Sequence, residues 1–183
     1  EELLLAFGEP NIAKKYEQLD KLMLSDIDLK YVAKFVIGKY WRQMTEQQQQ
    51  EYQKIFISYA LSLYKSFPLD FDSQKIKFDI IKVIPETQKT TVRAKINIDQ
   101  SDQKQQIPLA DIMVDFLLTK QEGKIQIIDL KLGESSLILS YRSRFYEMIA
   151  ENDDDVEWFL EDLKDIAEAT ERTNQEKLRQ AEY

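Results

Sequence analysis

The sequence predicts an α+β fold in which an antiparallel sheet of four strands is wrapped by about five or more helices. Apolar residues recur every three or four positions in residues 12–63 and again after residue 136, but alternate singly between residues 74 and 132. The 183 residues include four Gly and four Pro, too few for a fold built on many tight turns. Long helices and a few long strands are therefore expected, in a chain whose length suits one domain.

Three helices are predicted in the first third of the chain, and polar residues mark where two of them begin. Asp28 can cap the second helix, and Thr45 with Gln48 forms a capping box for the third. Pro68 ends this region. The apolar stripes of the three helices are Ile12, Tyr16, Leu19 and Met23; Val32, Phe35, Val36 and Tyr40; and Tyr52, Ile55, Phe56, Tyr59 and Leu63.

Four strands are predicted at residues 74–84, 89–99, 107–120 and 124–132, where Ile, Val and Phe are frequent. The second has a dry face of Val92, Ala94, Ile96 and Ile98 and a wet face of Thr91, Arg93, Lys95 and Asn97. The third is the most apolar, which is typical of a central strand. Residues 100–106 and the pair 122–123 are suitable hairpin connections, so the four strands form an antiparallel meander that can curve.

Two more helices and a polar tail are predicted after the sheet. Ser135 or Ser136 can cap the first helix, which runs to about Ala150. The three aspartates at 153–155 favour the start of the second helix, and they lack the alternating ligands and Gly of a calcium loop. From Glu171 onward the chain is polar enough to fray. We expect one domain at residues 1–170 and a polar C-terminal tail at residues 171–183.

The composition excludes several classes of function. The chain has no His and no Cys, which removes Cys/His zinc sites, histidine bases and cysteine nucleophiles. Residues 151–183 hold twelve acidic and four basic residues and so carry the whole net charge of −8. Nucleic acid is not an expected partner, because it requires a clustered basic face. No apolar run approaches the roughly 18–20 residues that cross a bilayer, so the chain is not expected to be membrane-embedded. No carboxylate cluster has the spacing of metal ligands, so no metal is expected.

Asp129 is the best candidate for a general base in a chain without His or Cys. It shares a predicted strand with Ile125 and Ile127 and is expected to be partly buried, whereas Asp115 is expected to face water. Arg142, on the following helix, is its nearest partner in the sequence. A structural ion pair between Asp129 and Arg142 is the preferred interpretation over catalysis.

Aromatic residues concentrate at the end of the second predicted helix and in the third: Tyr40, Trp41, Tyr52, Phe56 and Tyr59. They suit the packing of an ordinary core, and they also suit the lining of a pocket for an apolar ligand. A curved sheet closed by long helices can leave an apolar cavity, and periodicity does not distinguish that cavity from a filled core.

Two segments carry a recognisable pattern. The first contains Phe35-Val36-Ile37-Gly38-Lys39-Tyr40-Trp41, then Thr45-Glu46-Gln47-Gln48, then Tyr52, Phe56 and Tyr64. The second contains Ile127-Ile128-Asp129-Leu130, then Gly133-Glu134-Ser135-Ser136-Leu137, then Tyr141-Arg142-Ser143-Arg144-Phe145. Their order and spacing over residues 26–168 closely resemble the MlaC family, also called the toluene-tolerance auxiliary component. One departure is Gly133-Glu134, where members of the family usually have Glu-Gly, followed here by Ser135 where Val is common.

The resemblance implies a periplasmic phospholipid-binding shuttle, with its signal peptide already removed, and not an enzyme. It would carry lipid between an outer-membrane lipoprotein complex and an inner-membrane ABC transporter with a lipid-binding ring subunit, and so maintain outer-membrane lipid asymmetry. Phospholipid would be the cargo, with no cofactor. The sheet and helices would surround an apolar lipid pocket. Its expected lining is Phe35, Val36, Tyr40, Trp41, Phe56, Tyr59, Val92, Ala94, Ile96, Val114, Phe116, Leu118, Ile128, Leu130, Leu137, Tyr141 and Phe145.

Two other functions stay open from the residues alone. One is a cone-shaped α+β enzyme with a buried aspartate, Asp129, as its base. The other is an acidic, chaperone-like interaction module, which the charge of residues 151–183 suggests. A deep apolar cavity favours lipid carriage, a polar pocket around the aspartate favours the enzyme, and an exposed apolar groove without a cavity favours the module.

Overall fold

Helices occupy both ends of the chain and strands its middle in the computed structural model, which describes residues 2–66, 76–98, 112–121 and 123–181. The helices are α1 (Glu2–Gly8), α2 (Ile12–Asp26), α3 (Leu29–Ile37), a 3-10 turn (Gly38–Arg42), α4 (Glu46–Ser66), α5 (Leu137–Glu151) and α6 (Val156–Ala181). The strands are β1 (Ile76–Pro85), β2 (Lys89–Ile98), β3 (Ile112–Gln121), β4 (Lys124–Leu132) and β5 (Ser135–Ser136).

The α+β class is confirmed, but the described sheet has five strands instead of the predicted four. It is open and antiparallel, in the order β1-β2-β3-β4-β5. The added strand β5 has two residues, which pair with Lys131 and Leu132, and so short a strand has no alternation to reveal it. Pro68, the 100–106 connection, residue 122 and the predicted strand residues 74–75, 99 and 107–111 lie outside the described residues.

The predicted caps set the starts of three helices. Asp28 accepts a hydrogen bond from the backbone N–H of Tyr31 (2.9 Å) and caps α3. Thr45 Oγ1 accepts from Gln48 N (3.2 Å) and Gln48 Oε1 accepts from Thr45 N (2.9 Å), which completes the capping box of α4. Ser136, one of the two predicted candidates, caps α5.

The three aspartates at 153–155 form the turn that leads into α6. Asp155 accepts a hydrogen bond from Glu157 N (2.8 Å), which satisfies one of the free N–H groups of the first turn. Asp153 and Asp154 have positive φ angles, and Asp154 accepts from the Tyr40 hydroxyl (2.6 Å). The turn is therefore tied to the 3-10 turn after α3.

The hydrophobic core is built from helices. Its buried members come from α3, the 3-10 turn, Met44, α4, α5 and α6. At its centre Phe145 contacts Phe56, Tyr59 and Phe159, with ring centroids 6.1, 5.8 and 5.3 Å away and planes steeply inclined. This group is named the helical core below.

The sheet is attached to the helices mainly along β4. Helices α2, α3 and α5 all contact this strand. Asp28 N donates to the carbonyl of Ile127 (3.0 Å), and the Gln126 side chain donates to the carbonyls of Ser25 (3.1 Å) and Ile27 (3.4 Å). The junction between α2 and α3 is therefore bonded directly to the first half of β4.

Gly38 brings the two segments of the recognised pattern into contact. Its φ is +55°, a region that L side chains rarely adopt, and a Cβ built there would overlap the Tyr146 hydroxyl. Tyr146 accepts a hydrogen bond from Lys39 N (3.0 Å), so the close approach is stabilised. The Gly at this position therefore permits α5 to lie against the end of α3.

The expectation that the chain frays from Glu171 onward is wrong for the described residues. Helix α6 continues to Ala181, and Asn174 is only 1% exposed. Asn174 donates to the carbonyl of Ser62 (2.8 Å) and Lys177 to that of Ser66 (3.4 Å). The end of α6 is held by polar contacts with α4, which an apolar stripe would not reveal.

Gly38→Ala should lower the free energy of unfolding by about 2–4 kcal/mol, because it adds both a strained φ and an overlap with Tyr146. Gly133→Ala is the matched control. Its φ is +61° with no atom within 4 Å of the added Cβ, so a cost of about 1 kcal/mol from φ alone is expected. Urea titrations measure both values, and equal losses would show that the contact with Tyr146 is unimportant.

Truncation after residue 170 should destabilise the protein by about 2 kcal/mol or more, since it removes a buried hydrogen bond and the packing of α6 on α4. The control ends at residue 181. Thermal and urea unfolding of the two forms measure the difference, and identical transitions would show that residues 171–181 contribute nothing to the fold.

Candidate functional site

One face of the sheet is apolar over most of the described strands, with Thr90 and Lys120 as polar positions near one end. Directly opposite pairs on this face are Val92 with Phe116, Ala94 with Val114, and Phe116 with Leu130. Phe78 on β1 contacts Phe116, with ring centroids 6.4 Å apart. This surface is named the apolar face, and its members are Phe78, Ile80, Val83, Val92, Ala94, Ile96, Val114, Phe116, Leu118, Leu130 and Leu132.

The opposite face of the sheet is mixed, with polar residues beside Met113 and Leu117. Arg93 and Asp115 are paired across β2 and β3, and two hydrogen bonds of 2.7 Å join the guanidinium to the carboxylate. These bonds from Arg93 hold the pKa of the Asp115 carboxyl below its ordinary value. Asp115 therefore lies on the face that alternation predicts, but its side chain is only 13% exposed and does not face water as expected.

The apolar face lies outside the helical core. No member of the apolar face belongs to the helical core or to the partly buried side chains packed against it. At the centre of the face Ala94 and Val114 are only 2% and 1% exposed, whereas Phe78, Ile80 and Val83 are 36%, 68% and 55% exposed. Exposed apolar surface of this extent is typical of a site that binds another apolar group.

All but two of the residues predicted to line a pocket fall into two groups in the structure. Val92, Ala94, Ile96, Val114, Phe116, Leu118 and Leu130 share the apolar face. Phe35, Val36, Tyr40, Trp41, Phe56, Tyr59, Tyr141 and Phe145 lie in or against the helical core. Ile128 is buried where the pairing of β3 and β4 shifts by one residue. Leu137, at the start of α5, is 46% exposed.

Several helix residues of the predicted lining are fully enclosed by other side chains. Val36 and Phe145 have no exposed surface, and burial raises the pKa of the Tyr59 and Tyr141 hydroxyls. Tyr59 contacts Tyr141 with ring centroids 6.2 Å apart. These side chains can hold neighbouring residues of a binding site in place, but a fully enclosed side chain cannot contact a ligand itself.

Three residues of β1 belong to the apolar face and were not identified from the sequence. Phe78, Ile80 and Val83 are opposite Ile96, Ala94 and Val92. The alternation of the sequence could have placed Phe78 and Ile80 on the apolar face. Val83 could not be placed in this way, because the pairing shift between Ile80 and Lys82 interrupts the alternation of faces before it.

The predicted ion pair between Asp129 and Arg142 is wrong, because each side chain has other partners. Asp129 accepts hydrogen bonds from the Ser136 hydroxyl (2.7 Å) and from the backbone N–H groups of Leu130 (2.8 Å) and Ile138 (3.2 Å). The carboxylate thus helps to cap α5. Its buried oxygens are occupied by these donors, which is the environment of a structural carboxylate.

Arg142 instead joins α5 to α3. Its guanidinium donates from Nε and Nη2 to the carbonyl of Phe35 and lies over the Phe35 ring, 3.8 Å from the centroid. Arg142 was predicted as the partner of Asp129 because it is the nearest basic residue on the following helix. Backbone N–H groups at the start of α5 bind the Asp129 carboxylate instead.

A groove of about 760 Å³ lies between α4 and α6, on a different part of the helical body. Its lining includes Lys54, Lys164, Glu168, Arg172 and Arg179. Charged groups at this density do not suit an acyl chain, because each would be desolvated by it. The apolar face is therefore the better candidate for an apolar ligand.

Two kinds of feature are absent from the described part of the chain. No group of three or more carboxylates there is placed to hold a metal ion. Within the same residues, no helix combines the length and the hydropathy that crossing a membrane requires.

The fold is similar to that of a phospholipid-binding protein from Ralstonia solanacearum, solved in complex with a phospholipid. The TM-score is 0.69 at 17% sequence identity, and the match covers 92% of each chain. A search of curated proteins gave no match. The family model described as "MlaC protein" matches residues 7–165, which is most of the chain. The chain therefore belongs to the MlaC family.

Proposed function

We propose that this protein binds a phospholipid with its acyl chains against the apolar face. The observation that carries the proposal is an apolar face outside the helical core. An exposed apolar surface would also suit the interaction module, and the similarity of the fold to a phospholipid-binding protein favours lipid. Acyl chains are the natural cover for such a surface, because they bring no polar group that would need a partner. The phospholipid in the similar protein from Ralstonia solanacearum supports the same assignment.

The cargo would be held by acyl burial and not by a reaction. Burying two chains of about 15 methylenes each contributes roughly 25 kcal/mol before the costs of association are subtracted. A lipid held in this way leaves into water very slowly, so release requires a partner that opens the site. No catalytic group is needed, and we propose a binding and transport protein rather than an enzyme.

The route of transport is proposed from membership of the MlaC family. The protein would work in the periplasm, carrying phospholipid between an outer-membrane lipoprotein complex and an inner-membrane ABC transporter with a lipid-binding ring subunit. This transport would maintain the lipid asymmetry of the outer membrane. The lipid-binding unit would comprise residues 1–170, with the end of α6 stabilising it.

Purified protein should contain phospholipid at close to one molecule per chain, because the exposed part of the apolar face would otherwise be hydrated. Mass spectrometry of an organic extract measures the content. The delipidated chain should then take up labelled phospholipid from vesicles. Absence of lipid from the extract, together with no uptake, would contradict the proposal.

Ala94→Trp should reduce the bound phospholipid several-fold, since an indole on the apolar face occupies the volume of an acyl chain. Thr91→Trp is the matched control, because it places the same ring in the same strand on the opposite face. Lipid is measured per chain in the extract, and unfolding is measured after delipidation of both variants. If the face is ordinary core, Ala94→Trp will destabilise by about 1–3 kcal/mol or more and leave the lipid content unchanged.

A further inference from the structure

Strand β1 forms a free edge of the described sheet and carries large exposed apolar side chains. In the strand order β1 pairs with β2 on one side and with no other described strand. Ile80, Ile81 and Val83 are each more than half exposed. Exposed edges with such side chains are templates for pairing with another chain. β1 also has charged residues, a pairing shift and Pro85, features that prevent pairing with most strands, so a partner strand must match them.

The charges on β1 are arranged so that the strand can pair with a second copy of itself. If two β1 strands meet antiparallel about a point between Ile80 and Ile81, Asp79 of each copy is opposite Lys82 of the other. Phe78 is then opposite Val83. The ten residues of the strand overlap completely, because its ends, Ile76 and Pro85, are also opposite each other.

The pairing shift in β1 makes this register possible. A regular strand would place Phe78 and Val83 on different faces, since they are five residues apart. Here the pairing with β2 shifts between Ile80 and Lys82, so that Phe78 and Val83 both lie on the apolar face. Asp79 and Lys82 likewise share the opposite face. In the paired strands, each of these residues would therefore lie on the same face as the residue opposite it. Apolar Phe78 would be opposite apolar Val83, and Asp79 would be opposite Lys82.

Neighbouring registers are much less favourable. Moving one copy by a single residue places Lys82 opposite Phe78 or opposite Ile80, and it places Asp79 opposite Ile81 or Val83 of the other copy. Asp79 then keeps only its neighbours in its own sheet, Lys95 and Asn97. Each cross-strand ion pair contributes little, but the twofold axis produces every contact twice. The register is thus selected by charge and by the apolar pairs together.

We propose that two copies of this protein associate through β1 in this register, forming one continuous ten-stranded sheet. The two apolar faces would then be adjacent on one side of the joined sheet. The association is independent of the proposed cargo, since it requires only the edge of β1. Because one strand from each copy contributes, the dimer is expected to be weak and to form with increasing protein concentration.

The test is a charge exchange in the full chain, followed by sedimentation velocity over a range of protein concentrations. Lys82→Asp and Asp79→Lys should each weaken self-association about tenfold, because two opposite-charge pairs become two like-charge pairs. An equal mixture of the two variants should associate again, since only the mixed dimer has opposite charges at both positions. The double variant D79K/K82D should behave as the wild type does.

Lys77→Asp is the control for net charge. It changes the charge by the same amount as Lys82→Asp but lies opposite Ile84 in the proposed register, so it should affect association far less. Circular dichroism and thermal unfolding establish that each variant is folded.

Three outcomes would overturn the proposal. They are a wild type that is monomeric at every concentration, a dimer that persists unchanged in both single variants, and a mixture that associates no better than its components. The second outcome would place the interface elsewhere, and the third would exclude this register.

Discussion

The position of the sheet depends on one buried carboxylate, that of Asp129. It accepts hydrogen bonds from the Ser136 hydroxyl and the N–H of Ile138, and in this way fixes the middle of β4 to the start of α5. Two residues earlier in the same strand, the carbonyl of Ile127 accepts a hydrogen bond from Asp28 N. β4 is thus bonded at neighbouring positions to the start of α5 and to the junction of α2 and α3, and β1, β2 and β3 are joined to it through strand pairing. The apolar face lies outside the helical core.

The two segments that carry the family pattern are explained by their contact with each other. Gly38 allows the Tyr146 hydroxyl to reach the backbone after α3, and Arg142 binds the carbonyl of Phe35 one turn earlier. Gly38 in the first segment and Arg142 in the second are thus parts of one contact between α3 and α5, which Tyr146, immediately after the second segment, completes. Its role is to position α5 and therefore β4.

Local features of the fold could be predicted from the sequence, because the causes are themselves local. The capping bonds of Asp28, Thr45 and Gln48 involve residues three apart, and the alternation of β2 follows from its two faces. The partners of Asp129 and Arg142 depend on which backbone groups are left free in three dimensions. The buried end of α6 depends on Asn174 bonding to Ser62, which no apolar pattern reports. For the candidate site, the central strands were identified, but the pairing shift concealed Val83.

The helical core also has a consequence for the order in which the chain folds. Its halves are separated by the whole sheet: Arg142 and Phe35 are 107 residues apart, and Asn174 and Ser62 are 112 apart. Closing so long a loop costs conformational entropy before any core contact offsets it. The meander, whose pairings connect neighbouring segments, shortens that loop once it forms. We therefore expect the strands to pair early, and α3 and α4 to pack only later against α5 and α6. The contacts between residues far apart in the sequence are then mainly contacts between helices, and those within the sheet are more local.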